Sequence, residues 1–188
     1  MTVAHRAMQH PSPWVCRHLA DLAPGSRVLD LACGGGRHAR WLAARGVHVE
    51  AVDRDREALA ALSGIALITV READLEGGPW PWDEEPGLFD AVMVTNYLHR
   101  PRFAALLDCV APAGRLVYET FMLGNERFGK PSNPAFLLQP GELLQRIDQR
   151  FAITAFEQGE VAHPAPALIQ RVCAVRGAGA QSDWPRLD

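Results

Sequence analysis

Val28 to Ala39 reads VLDLACGGGRHA, and the reading of this stretch decides the fold. An apolar run, Arg27 to Leu31, has the composition of a buried strand. It passes through Ala32-Cys33-Gly34-Gly35-Gly36 into a stretch, Arg37 to Arg45, with apolar Ala39, Leu42 and Ala43 at helical spacing and Gly46 behind it. Glycines between a strand and a helix permit positive φ and let backbone approach a ligand closely. In open α/β sheets, ligands bind at such strand ends. Gly34, Gly36 and Ala39 also satisfy the looser GxGxxA pattern of dinucleotide-binding turns, so the stretch alone admits either a dinucleotide or another nucleoside ligand, or a tight turn with no ligand.

Working outward, strand-like and helix-like segments alternate. Val47–Val52, Ile65–Val70, Leu88–Thr95 and Arg115–Phe121 read as further strands. Asp55–Ser63 reads as a helix, as does a segment from Pro101 in which Phe103, Leu106, Leu107 and Val110 repeat at i, i+3, i+4 and i+7. Pro140–Arg150 reads as a last helix, and Phe151–Phe156 and Ile169–Val175 as two strands with no helix between them. Alternation predicts a parallel sheet covered on both faces, and the final pair predicts antiparallel closure. The expected fold is therefore α/β: a Rossmann-like doubly wound sheet of seven mostly parallel strands with an antiparallel last strand. Residues 1–24 are expected to be an N-terminal helical segment, 25–176 the domain, and 177–188 a flexible tail. Within the first segment, Ser12 and Pro13 suit a helix start, and Val15, Leu19 and Leu22 form a stripe that packs onto the domain.

Two more acids sharpen the ligand reading. Asp53 ends the second strand, where a carboxylate accepts from both hydroxyls of a ribose; its alternative is a helix N-cap. Asp74 follows the third strand in READLEG, where it can accept from an adenine amine or sit in a solvated turn. Asp30 can hold the ammonium of an amino-acid moiety. An amino acid, a ribose and an adenine together make S-adenosylmethionine.

At these residues the chain resembles the class I S-adenosylmethionine-dependent methyltransferases. DLACGGGRHARWLA resembles their first motif, D/E-x-G-x-G-x-G, with Ala32 in place of the first glycine. VEAVDRD resembles their ribose motif and EADL their adenine motif; FDAVMVTNYLH and GRLVYETF resemble the fourth and fifth strand motifs. The resemblance implies S-adenosylmethionine as cofactor, with Asp30, Ala32, Gly34, Gly36, Arg37, Asp53, Arg54, Ala73, Asp74, Leu75 and Asn96 around it. The Gly-Arg step and the small size are most similar to tellurite-resistance-type methyltransferases.

Methyl transfer from a sulfonium needs alignment and dryness more than acid or base groups. Tyr97 and His99 are the expected catalytic candidates, His99 as a base or as a cap for the helix near Pro101, Tyr97 to orient the acceptor or to pack. The long stretch Glu119–Leu138 is expected to be a lid forming the acceptor pocket, with Tyr97, Glu119, Asn125, Arg127 and Lys130 as substrate-binding candidates and a plain surface loop as the alternative. Trp80 and Trp82 are expected to pack rather than flank an adenine.

Composition narrows the classes. A net charge of −3 weighs against a chain that grips nucleic acid, because backbone binding needs dense Lys and Arg. The four cysteines form no CxxC and the histidines, His5, His10 and His18 among them, no zinc spacing, so no metal is expected. The expected protein is a cytoplasmic monomer or homodimer without membrane or stable nucleic-acid partners, acting on a small acceptor such as a thiol or a chalcogen oxyanion. RNA or protein methylation, a non-catalytic cofactor-binding module and, further off, a nicotinamide oxidoreductase are the alternatives.

Overall fold

Residues 10–84 and 86–177 are described by a computed structural model. His5 and positions 178–188 of the expected tail lie outside the described residues. The chain runs α1 (Pro13–Leu19), β1 (Arg27–Leu31), α2 (Arg37–Ala43), β2 (His48–Asp53), α3 (Arg56–Ala60), β3 (Ile68–Glu72), β4 (Phe89–Thr95), α4 (Phe103–Asp108), β5 (Val110–Phe121), α5 (Glu142–Arg146), β6 (Phe151–Val161) and β7 (Ala167–Arg176). One seven-stranded sheet has the order β3-β2-β1-β4-β5-β7-β6. Strands β1 to β5 pair in parallel. Strand β7 is antiparallel to both β5 and β6.

The pattern of burial follows from this order. Along β1, Val28 packs on one face with Trp14, Val15, Leu19, Ala39, Leu42 and Val117. Leu29 and Leu31 pack on the other with Val92, Phe103, Leu106 and Tyr118. Strands in the middle of a parallel sheet are covered on both faces and read as apolar runs, which is why AVMV, and VL before Asp30, announce themselves in sequence. Helix α1 packs into this core: Trp14, Val15 and Leu19 are all buried, each contributing about 2 kcal/mol.

Several boundaries differ from the sequence expectation. Strand β3 begins at Ile68, not Ile65, because Leu67 adopts a φ of 66° that no strand accommodates. Helix α4 stops at Asp108, and β5 starts at Val110 through a bulge against β4. The expected helix 140–150 shrinks to α5, capped by Gly141 at φ 72°. The closing strands are longer than expected because each satisfies the other's backbone over nearly its whole length. The stretch after β5 is not an unstructured lid: it carries 3₁₀ turns at Asn125–Phe128 and Pro134–Phe136, and Met122 bridges to Leu138.

Gly36, the N-cap of α2, sits at φ 67°, and a Cβ there would stand 2.4 Å from a Leu62 methyl. Leu62 is fully buried and has nowhere to retreat. Gly36→Ala is therefore expected to destabilise the domain by about 3 kcal/mol, from overpacking plus the left-handed backbone. The check is thermal denaturation, with the midpoint lowered by roughly 6–12 °C.

Candidate functional site

The carboxyl tips of β1, β2 and β3 bring the three acids into one neighbourhood. Asp53 folds back on the glycine turn: its Oδ2 accepts from the Gly34 amide at 2.8 Å, and its Oδ1 from the Asp55 amide at 2.9 Å. Beside it the Cys33 amide donates to the Val52 carbonyl at 3.0 Å. The turn therefore crosses above β2 at a fixed height. Ala32, standing where the resembled family has glycine, adopts φ 56°. The backbone thus holds the shape that a glycine would take freely, at the cost of some strain.

Asp30 is only 1% exposed, and its Oδ2 has no hydrogen-bond partner among the described residues. Burial pushes its carboxyl up to about 7, against the opposing pull of the Ala39 backbone and the Arg37 guanidinium. Arg37, the first residue of α2, is partly buried, and that burial lowers its pKa against the attraction of Glu119 and Asp30. A buried acid with an unused oxygen and a desolvated guanidinium nearby suit the two charged ends of an α-amino acid.

Asp74 is exposed and caps its own turn, Oδ1 accepting from the Glu76 and Gly77 amides at 3.0 and 3.1 Å. Those amides, Gly77 first, hold its carboxyl below the usual range. It is the turn residue of the second reading, with Oδ2 left open to a ligand. The Ala73 amide is taken by the Asp53 carbonyl at 3.0 Å. The Leu75 side chain lies in the core beside Trp80 and Trp82, and those two rings pack edge to face as expected. Arg54 is exposed; Asn96, exposed at φ 56°, donates its amide to the Glu119 carbonyl at 2.9 Å and so stands at the joint tip of β4 and β5.

Tyr97 and His99 share a small hollow with Leu31, Trp80, Phe103 and Tyr118. The Tyr97 hydroxyl is buried without a partner among the described residues, while Tyr118 Oη donates to the Tyr97 carbonyl at 2.7 Å. Burial, then the charges of Glu76 and Asp74, push the Tyr97 phenol far up. It is unsuited to act as a base and faces the side of the tips that carries Asp74. His99 precedes a 3₁₀ turn, Arg100–Arg102, but its side chain makes no capping hydrogen bond.

The expected acceptor set is not brought together. Glu119 lies in β5, accepting from Ser12 Oγ at 2.7 Å and pairing with Arg171 at 3.2 Å. Asn125 is buried and spent on the loop's own anchorage, donating to the Pro131 carbonyl and accepting from the Leu168 amide. Arg127 pairs with Glu160 at 2.7 Å and lies over Phe128. Lys130 is exposed. The residues that sequence reasoning missed are Ser12, His38 and Arg171. His38 Nε2 accepts the Ser12 amide at 3.0 Å, and burial lowers the His38 pKa to about 3, so the imidazole is neutral. These three meet across more than one strand of sheet, and no local pattern joins them. Among the described residues no group of three or more His, Cys, Asp or Glu side chains is placed to hold a metal, the four cysteines are free thiols, and no helix is long and apolar enough to cross a membrane.

A family profile described as a methyltransferase domain matches residues 28–114. A ubiquinone biosynthesis O-methyltransferase of Xylella fastidiosa is 36% identical over 103 residues, covering 51% of this chain and 42% of that protein. The chain thus spans less than half the length of that relative. Among solved structures, TehB from Haemophilus influenzae is similar with a TM-score of 0.71 and 18% identity, over 88% of this chain and 62% of that one. The 1,6-didemethyltoxoflavin-N1-methyltransferase of Burkholderia thailandensis, with 1,6-didemethyltoxoflavin and S-adenosylhomocysteine bound, gives 0.62 and 19%, over 87% and 76%. At these identities the structural likeness bears on the fold.

Asp30 sets a pH dependence that can be measured. Below about pH 7 the free protein carries the proton. A ligand ammonium at Oδ2 favours the carboxylate, so binding there expels that proton and weakens by about tenfold for each pH unit below 7, and is flat above it. Calorimetry with S-adenosylhomocysteine is expected to show this slope, and Asp30→Asn to abolish it while weakening binding at pH 8 by about tenfold. The same slope in both proteins would remove Asp30 from the site.

Proposed function

We propose that this chain, whose residues 28–114 match a methyltransferase domain and whose fold is that of the class I S-adenosylmethionine-dependent methyltransferases, binds S-adenosylmethionine and passes its methyl group to a small acceptor. The acceptor class we favour is a thiol, a chalcogen oxyanion or a similarly compact molecule, and the compartment is the reducing cytoplasm, where buried free thiols such as Cys33, Cys109 and Cys173 persist. The observation that carries the reading is the clustering of acids at three successive strand tips. Asp30 and Asp53 both act on the Cys33 thiol, and Asp53 and Asp74 both act on the Tyr97 phenol. One adenosyl amino acid spans such an arrangement.

In this reading Asp53 accepts from the ribose and at the same time holds the Gly34 amide, so the ligand is placed against a turn already fixed. Asp74 Oδ2 faces the adenine, with Tyr97 beside it. Asp30 and Arg37 take the ammonium and the carboxylate. When bound, S-adenosylmethionine supplies the electrophilic methyl group. The protein's contribution is alignment and exclusion of water, and a base is required only for an acceptor that arrives protonated. His99 is our candidate for that task. Because Glu119, Ser12 and Arg171 are engaged with one another at the start of α1, we place acceptor entry on the side of the segments that follow β4 and β5.

Calorimetry with S-adenosylmethionine, S-adenosylhomocysteine and NAD, followed by turnover on thiols, selenite, RNA and protein, tests this. S-adenosylmethionine and its demethylated product are expected to bind and NAD not, with methylation of a thiol or selenite. NAD binding alone would overturn the reading. Turnover on RNA or protein alone would replace the acceptor class, and binding without any turnover would leave a cofactor-binding module.

A further inference from the structure

The segments after β4 and β5 leave the same edge of the sheet from adjacent strands, Thr95 being paired with Glu119. Ligands in open α/β sheets lie at the carboxyl edge where the strand order reverses, here between β1 and β4. The first segment, with Asn96, Tyr97 and His99, therefore borders the cofactor crevice, and the loop after β5 forms the next wall out. One side chain joins the two. Arg100 Nε and Nη2 donate to Glu142 Oε1 and Oε2 at 2.7 and 2.8 Å, a bidentate fork. Its Nη1 donates to the Ala135 carbonyl at 2.6 Å and its Nη2 also to the Leu137 carbonyl at 2.8 Å.

The anchor for this fork is unusually firm. Glu142 is 7% exposed and accepts as well from Arg146 Nε at 2.6 Å and from the Gln139 amide at 2.8 Å. Burial raises its carboxyl, but Arg100, Gln139 and Arg146 together outweigh that and bring it down to about 2. Arg146 in turn lies over Phe103, whose ring stacks on Tyr118, and both rings line the hollow shared with Tyr97 and His99. The two carbonyls that Arg100 holds flank Phe136, a ring 48% exposed. Fixing both carbonyls fixes where that ring stands.

We propose that Arg100 is a positioning residue for the acceptor: it sets the gap between the segment after β4 and the loop after β5, and with it the placement of Phe136 at the mouth of the site. The inference rests on the methyltransferase reading for its reaction, but not for its geometry. A guanidinium satisfies a carboxylate and two carbonyls at once in a plane, which an ammonium cannot do. Arg100→Lys keeps the charge and loses the fork. Glu142→Gln keeps the shape and removes the anion, and serves as the second variant if the first folds poorly.

The test compares both variants with the intact wild-type chain. Expected first is amide hydrogen exchange across 131–141 faster by about tenfold, with S-adenosylhomocysteine affinity within about twofold of wild type. Expected next, on whichever thiol or selenite the wild type methylates, is an acceptor KM raised by about tenfold, with kcat and the KM for S-adenosylmethionine changed by less than about threefold. Unchanged exchange across 131–141 overturns the proposal, and so does a parallel loss of kcat and cofactor affinity, which marks general loosening. Failure of the wild type to bind S-adenosylhomocysteine would sink the functional reading, while the exchange comparison would still decide the clamp.

Discussion

The hydrogen bond from the Gly34 amide to Asp53 Oδ2 is the constraint on which the rest of the site depends. It ties the end of β1 to the end of β2 through a turn that has no side chains to offer. A carboxylate held by backbone donors on both oxygens cannot swing away, and a backbone held by a carboxylate cannot sag into the crevice. The same contact lets Gly36 lie against Leu62 and start α2 with Arg37 close to Asp30. Loosening this one contact would shift Asp53, Asp30 and Arg37 together.

Charge is distributed unevenly around that turn. Asp53 and Asp74 are satisfied by amides, so their carboxylates carry little desolvation cost. Asp30 is the opposite case: a buried carboxyl with an unused oxygen is expensive to leave ionised, and the protein meets the cost by holding the proton. Groups in that condition concentrate at functional sites because a ligand can relieve what the fold cannot. Ser12, His38, Glu119 and Arg171 bond to one another under α1, whereas Asp30 keeps one oxygen without a partner among the described residues.

The outer wall obeys a different rule. The stretch after β5 is long, yet it is pinned at Asn125, at the Met122–Leu138 bridge and at the Arg100–Glu142 fork. Of its cations, Arg127 is turned to the hairpin of β6 and β7 by Glu160, while Lys130 is exposed. To solvent the loop shows the apolar Leu123, Phe128 and Phe136 interspersed with Glu126, Arg127, Lys130, Ser132 and Asn133.

The sheet was legible from the sequence because its middle strands are buried on both faces, and such strands announce themselves as continuous apolar runs closed by glycine or by an acid. The positions of Asp30, Asp53 and Asp74 followed, since the end of a strand in a parallel sheet is a place in space as well as in sequence. Their individual states did not follow. That Asp30 is orphaned, Asp74 half spent on its own turn and Leu75 turned into the core depends on what packs against each, and those neighbours come from distant parts of the chain. The acceptor candidates were misgrouped for the same reason: Glu119, Asn125 and Arg127 are close in sequence, but strand pleating and a buried amide send them to Ser12, Leu168 and Glu160. By itself the sequence determined the succession of strands along the chain and which acids stand at their tips. Only the tertiary structure decided which side chains remain unspent, because a hydrogen bond formed across 107 residues, as between Ser12 and Glu119, leaves no trace in local spacing.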